Sequence, residues 1–240
     1  DGNPFTDITL GAEFVCGNTR YSVNGFYDGK GIYKIRFMPD TEGTWNFTTK
    51  SNNQNLNGSE GQFTCTAPGK ENHGPVMVAD TYHFRYADGA GYIPIGTTSY
   101  GWAHQQEQLA EETLTSLDQS PFNKIRMCVL PHYSQFSSEN IIAFPYAGAP
   151  PKEWDFTRFN PEYFRVLEKR IAALDSMGIQ ADLILLNPYN QEWGFDAMET
   201  DADEHFIRYA VARFSAYKNV WWSLANEYDK LEQKGADFWD

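Results

Sequence analysis

Apolar and polar positions alternate with a period of two through the first part of the chain. In "GIYKIRFMP" (31–39), Tyr33, Ile35 and Phe37 share one phase, with Lys34 and Arg36 between them. "PDTEG" makes a turn, and "TWNFTTK" resumes the alternation with Trp45 and Phe47. "YDGKG" and "NNQNLNGSEG" are further turn segments, and "QFTCTAP" closes the run. Short strands with turns at this spacing predict a small β-sandwich, immunoglobulin-like, over 1–67. The Pro- and Gly-rich stretch that follows is read as a linker over 68–75.

From 76 onward the period changes. "YHFRYADGAGYIP" carries an Asp88-Gly89 turn between apolar stretches, which predicts a hairpin leading into a strand at 92–97. Leu109, Leu114 and Leu117 recur at near-helical spacing. "NKIRMCVLP" (123–131) reads as a buried strand, and the segment after it, rich in Pro and Gly near 145–151, as a long loop. The clearest helix starts at Asn160, a suitable N-cap before Pro161. It runs along Phe164, Leu167, Ile171 and Leu174 and stops at Gly178. "IQADLILLNP" (179–188) is another strand. Thr200 and Asp203 resemble a capping box that opens a helix striped by Phe206, Ala210 and Phe214. "NVWWSLANE" is the fourth strand. Apolar strands alternating with helices predict a parallel sheet covered on both faces. The predicted fold class is multidomain: a β-sandwich followed over 76–240 by the first four strand–helix units of a TIM (β/α)8 barrel.

Composition narrows the function. The 240 residues carry a formal charge of −13, and no basic cluster is present, which excludes nucleic acid as a partner class. No apolar run approaches the roughly 18 residues a membrane helix needs. Aromatic residues make up 16%, with seven Trp; flat rings are what sugars stack on, and they are also core filler. The three cysteines show no zinc spacing. Cys16 and Cys65 are candidates to pair, and Cys128 reads as a buried thiol. Asp182 and the acidic run Asp201, Asp203 and Glu204 read as helix-start residues facing solvent, a Ca²⁺ site being the other reading.

Chemistry in parallel α/β folds gathers at the C-terminal strand ends. The first strand delivers Thr97, Thr98, Tyr100, Trp102 and His104. The second delivers Arg126, Pro131, His132 and Tyr133. The third delivers Asn187, Tyr189, Asn190 and Trp193, and the fourth Asn226, Glu227, Tyr228 and Asp229. A Glu that follows Asn at the end of a buried strand suits a retaining glycosidase. Partial burial would raise its pKa so that it donates a proton and later takes one from water. The Asn would bind the sugar's 2-hydroxyl. A salt-bridged Glu at a strand exit is the plainer alternative.

"YADGAGYIPIGTTSYGWAHQ", "KIRMCVLP" and "WWSLANEYD" resemble the apiosidase-like group of bacterial (β/α)8-barrel glycoside hydrolases, and "GFYDGKGIYKIRFMPDTEGTWNFTTKS" resembles the β-sandwich that often precedes such barrels. The resemblance implies that Glu227 is the general acid/base and Asn226 its substrate-binding neighbour. It implies that Arg126 lies near the nucleophile, with His132, Tyr100, Trp102, Trp193 and Asn187 around the sugar. It further implies a secreted, periplasmic or cell-surface enzyme that acts on carbohydrate and needs no metal or organic cofactor. The nucleophilic carboxylate belongs to the seventh barrel strand, so the missing half of the barrel is expected in cis or as another chain, and the present chain alone is expected to be inactive. A non-catalytic carbohydrate-binding protein is the second function class.

Overall fold

A computed structural model describes residues 2–132 and 141–239. The alternating N-terminal segment forms β1 (Leu10–Cys16), β2 (Thr19–Asn24), β3 (Phe26–Tyr27), β4 (Tyr33–Lys34), β5 (Gly43–Ser51) and β6 (Glu60–Cys65). Strands β2-β1-β5-β6 make one antiparallel sheet, and β3-β4 a separate pair. The sheet's inner face buries Ala12, Phe14 and Trp45 against Ile35 and Phe37. Phe14 and Phe37 stack with ring centres 4.2 Å apart. Only Tyr33 and Lys34 of the expected 31–39 strand pair in a ladder. Arg36 leaves the ladder to meet Glu168, and Pro39 has no N–H to donate. Among the described residues the layer opposite the four-stranded sheet is this short pair and the extended chain that follows it.

Cys16 and Cys65 are free thiols. They end β1 and β6, and β5 runs between those strands. Two strand spacings of about 4.8 Å exceed the reach of a disulfide. Cys128 is a buried free thiol, and burial raises its pKa.

A three-stranded antiparallel sheet follows, β7 (Val76–Ala79), β8 (His83–Tyr86) and β9 (Gly91–Tyr92), with the Asp88-Gly89 turn between β8 and β9. The expected 92–97 strand is divided: β9 ends at Tyr92, and β10 (Gly96–Thr98) opens a second sheet. Then come α1 (Glu107–Asp118), β11 (Lys124–Cys128), the hairpin β12 (Tyr146–Ala149) and β13 (Glu153–Phe159), α2 (Pro161–Ser176), β14 (Gln180–Leu186), α3 (Thr200–Phe214) and β15 (Val220–Ala225). The hairpin occupies what reads in sequence as a loop. Strands β10-β11-β14-β15 are parallel and adjacent in chain order, each joined to the next by a segment that contains a helix.

The strands are not apolar on both faces. Ile125, Met127, Ala181, Leu183 and Leu185 are buried in the core that the helices complete. The alternate residues carry Lys124, Arg126, Gln180, Asp182 and Ser223. Lys124 Nζ lies 2.5 Å from Asp182, and Ser223 Oγ donates to the same carboxylate at 2.9 Å. Asp182 therefore does not face solvent. Strand β15 is an edge: Trp222 is 41% exposed and Leu224 44%.

Helix α2 has the expected ends. Asn160 accepts from the Glu162 N–H, Pro161 is the first helical residue, and Gly178 sits at φ +71°. Helix α3 is capped by Glu199, without a side-chain bond, so Thr200 is its first residue and not its cap. Asp203 is fully buried and ion-paired with Lys234, which also donates to the Met198 carbonyl at 3.0 Å. Burial pushes Asp203 up to about 6 against the pull of Lys234. This pair ties the segment after β15 to the start of α3. Among the described residues no helix is long and apolar enough to cross a membrane.

Candidate active site

The four parallel strand ends converge on one phenol. Tyr189, three residues past β14, stacks on Tyr100 with centroids 5.7 Å apart and planes 17° apart. His132 meets it edge-on at 5.3 Å, and Tyr100 and His132 are 5.3 Å from each other. Its N–H donates to Asn187 Oδ1 at 3.1 Å. Its hydroxyl donates to Glu227 Oε2 at 2.5 Å and accepts from Asn226 Nδ2. Asn226 is held by its own N–H on the Leu186 carbonyl at 3.0 Å, which continues the β14–β15 ladder by one residue.

Glu227 is half-exposed and adopts φ +45°, a left-handed conformation that a side chain occupies at some cost. The turn swings its carboxylate away from the strand toward Tyr189. Lys230 Nζ also reaches Oε2, at 2.9 Å. The Lys230 hydrogen bond, with Tyr189 second, holds Glu227 below the usual carboxylate range. This reverses the expected rise: the carboxylate has two donors and too little burial to offset them.

Of the other expected site residues, Tyr100, His132 and Asn226 join this cluster. Burial lowers the pKa of His132. Asn187 is buried and braces the Tyr189 backbone; among the described residues its Nδ2 has no partner, and neither polar side-chain atom of Asn190 has one. Arg126 lies one layer down, its Nη2 3.4 Å from Ser223 Oγ and its Nε without a partner among the described residues.

Two aromatic residues depart from expectation. Trp102 is 3% exposed; its Nε1 points at the Met127 sulfur at 3.0 Å, and the Arg170 guanidinium lies over its ring. Trp193 is 5% exposed, packed edge-on against Phe144 at 5.4 Å, and its carbonyl accepts from Trp154 Nε1. Both are core and not open sugar platforms. His104 is likewise core, bonded to the Cys128 carbonyl and to the Tyr163 hydroxyl, and burial lowers its pKa to about 4. Tyr133 lies outside the described residues.

Sequence reasoning placed Tyr189 at a strand end and gave it no role; a phenol two residues beyond Asn187 in "NPYN" was the available signal. Lys230 was missed, although its i, i+3 spacing from Glu227 was readable. Among the described residues no three or more His, Cys, Asp or Glu side chains are placed to hold a metal ion. Asp203, in the acidic run, is engaged by Lys234.

Residues 79–240 match the apiosidase-like catalytic domain, and residues 1–52 match DUF5060, a domain of unknown function. Among curated proteins none matches. Among solved structures, a chain from Bacteroides vulgatus ATCC 8482 described as "a putative glycoside hydrolase" is 45% identical and superposes with a TM-score of 0.96 over all of this chain. The present chain spans 48% of that one, about half its length. A glycoside hydrolase family 5 structure from the same organism is 14% identical, with a TM-score of 0.50 over 67% of this chain and 36% of its own, a likeness of fold. With its catalytic-domain match over 79–240, the chain belongs to the apiosidase-like family.

Proposed function

We propose that this chain is the acid/base half of a retaining glycoside hydrolase, with Glu227 as the general acid/base. The observation that carries the reading is the convergence of Tyr100, His132, Tyr189, Asn226 and Glu227 at the C-terminal ends of four parallel strands, in a chain 45% identical to a protein described as a glycoside hydrolase of the putative kind. In this reading Glu227 donates a proton to the glycosidic oxygen and then activates water, and Asn226 meets the sugar beside the reacting carbon. Tyr100 and His132 form a wall against the ring. The substrate is a plant or microbial polysaccharide or oligosaccharide, met outside the cytoplasm.

Double displacement needs a second carboxylate about 5–5.5 Å from the first. Among the described residues, those directly after the other three strands (99–105, 129–132 and 187–190) include no carboxylate. We therefore assign the nucleophile to further strands that continue the parallel sheet into a closed barrel. The exposed Trp222 and Leu224 on edge strand β15 support such a continuation. So does the relative of twice the length. Residues 1–67 then form a β-sandwich-like brace, with 68–75 as its linker, and the present chain alone is inactive.

A carbohydrate-binding role without catalysis draws on one observation: Lys230 favours an ionised Glu227, which binds hydroxyls but cannot donate a proton. Activity separates the two. In the polypeptide that carries the whole barrel, Glu227→Gln abolishes hydrolysis of unactivated glycosides and leaves binding near intact. Wild-type turnover in that variant sinks the assignment.

A further inference from the structure

We propose that Tyr189 is the positioning residue of this site, its hydroxyl fixing which oxygen of Glu227 carries the catalytic proton. The inference rests on the glycosidase reading above.

The direction of the hydrogen bonds follows from the chemistry of the three groups. An amide nitrogen only donates, so Asn226 Nδ2 requires the Tyr189 oxygen to accept. A phenol has one hydrogen, and the remaining neighbour is Glu227 Oε2 at 2.5 Å. The relay therefore runs Asn226 to Tyr189 to Glu227. Burial, then the bond to Glu227, raises the phenol's pKa, so it remains a donor through any neutral working range.

Tyr189 and Lys230 both meet Oε2. Oε1 is then the oxygen that takes a proton, passes it to the leaving glycosidic oxygen, and later accepts one from water. The two donors differ in how they are held. Tyr189 is fixed by the ring of Tyr100, the ring of His132 and the Asn187 bond to its own N–H. Lys230 is a flexible side chain, 60% exposed, in a surface pair of the kind that contributes little. Substrate can displace Lys230 without disturbing the relay, which removes one of the two donors that hold Glu227 low while its rotamer stays set.

The test is a carbon-detected NMR titration of glutamate side-chain carboxyls in the polypeptide that carries the whole barrel, with the Glu227 signal assigned by its loss in Glu227→Gln. Tyr189→Phe, which keeps the ring and removes one of the two donors to Oε2, raises the Glu227 midpoint. Lys230→Met removes the other donor and raises it as well. A Tyr189→Phe midpoint equal to wild type overturns the proposal.

A second measurement needs no variant at Tyr189. In the wild-type chain the Tyr189 Cζ signal shifts at the pH where Glu227 titrates, because the two share a hydrogen bond. A Cζ signal that ignores that titration overturns the proposal as well. Neither readout depends on turnover, so a failed relay is distinguished from a failed glycosidase assignment, which Glu227→Gln activity decides.

Discussion

At the scale of single residues, burial decides which of two opposed effects wins. Asp203 and Glu227 are both carboxylates facing a lysine. Asp203 is fully enclosed, so desolvation outweighs its partner and its pKa rises. Glu227 is open to water, so its donors win and its pKa falls. The raised value of Asp203 fixes a sign: its contribution to stability is fully present below the unfolded value of 3.8 and is lost as pH rises through about 6. Removing its partner sharpens that loss. Lys234→Met leaves an unpaired buried carboxylate and costs about 3 kcal/mol at pH 7. At pH 5, where Asp203 takes up a proton, the same substitution costs less. Chemical denaturation of both proteins at the two pH values checks this, and equal losses would contradict it.

At the scale of elements, patterns that depend on neighbours in sequence were legible. Asn160-Pro161 and Gly178 frame α2 as their local chemistry requires, and the Phe206, Ala210 and Phe214 stripe is fully buried. Asn160→Ala removes the side-chain acceptor for the Glu162 N–H and is expected to lower stability by about 1 kcal/mol, read as a shift in denaturation midpoint at constant slope. What depends on distant partners was not legible. The 31–39 alternation looks like one strand, yet Arg36 is claimed by Glu168, 132 positions away. Asp203 looks like a capping residue until Lys234 arrives from the far side of β15. Trp102 and Trp193 sit at strand ends, where a sugar platform belongs, but the Met127 sulfur and Arg170 hold the first in the core and the Phe144 ring packs against the second. Glu227 and Asn226 could be named as candidates because a strand end is a local feature; the Tyr189 bridge between them needed the fold.

At the scale of the molecule, a buried ionic network binds the N-terminal strands to the helices of the parallel sheet. Arg213 is fully buried, with its guanidinium 2.9 Å from Asp28 and 2.6 Å from Glu168. Arg36 makes two bonds to the same Glu168 and one to the Arg213 carbonyl, at 2.8, 2.9 and 2.6 Å. Phe26 lies under Arg213 at 4.5 Å. The N-terminal strands are therefore a brace on α2 and α3 and not a freely swinging module. Arg213→Met takes one cation from each of two carboxylates that keep other partners, and is expected to destabilise the chain by about 3 kcal/mol, with amide protection falling in β3, β4 and α3 together. Loss of protection confined to α3 would contradict the brace.

The central claim is that Glu227 moves the proton in glycoside hydrolysis. Its most direct measurement is turnover of an aryl glycoside with an activated leaving group by Glu227→Gln in the polypeptide carrying the whole barrel, with and without azide. An acid/base variant no longer needs to protonate such a leaving group but cannot activate water for the second step. The account predicts slow turnover that azide restores, as a nucleophile needing no base, with a glycosyl azide of retained configuration as product. Undiminished turnover without azide, or total inactivity that azide does not rescue while substrate still binds, would contradict it.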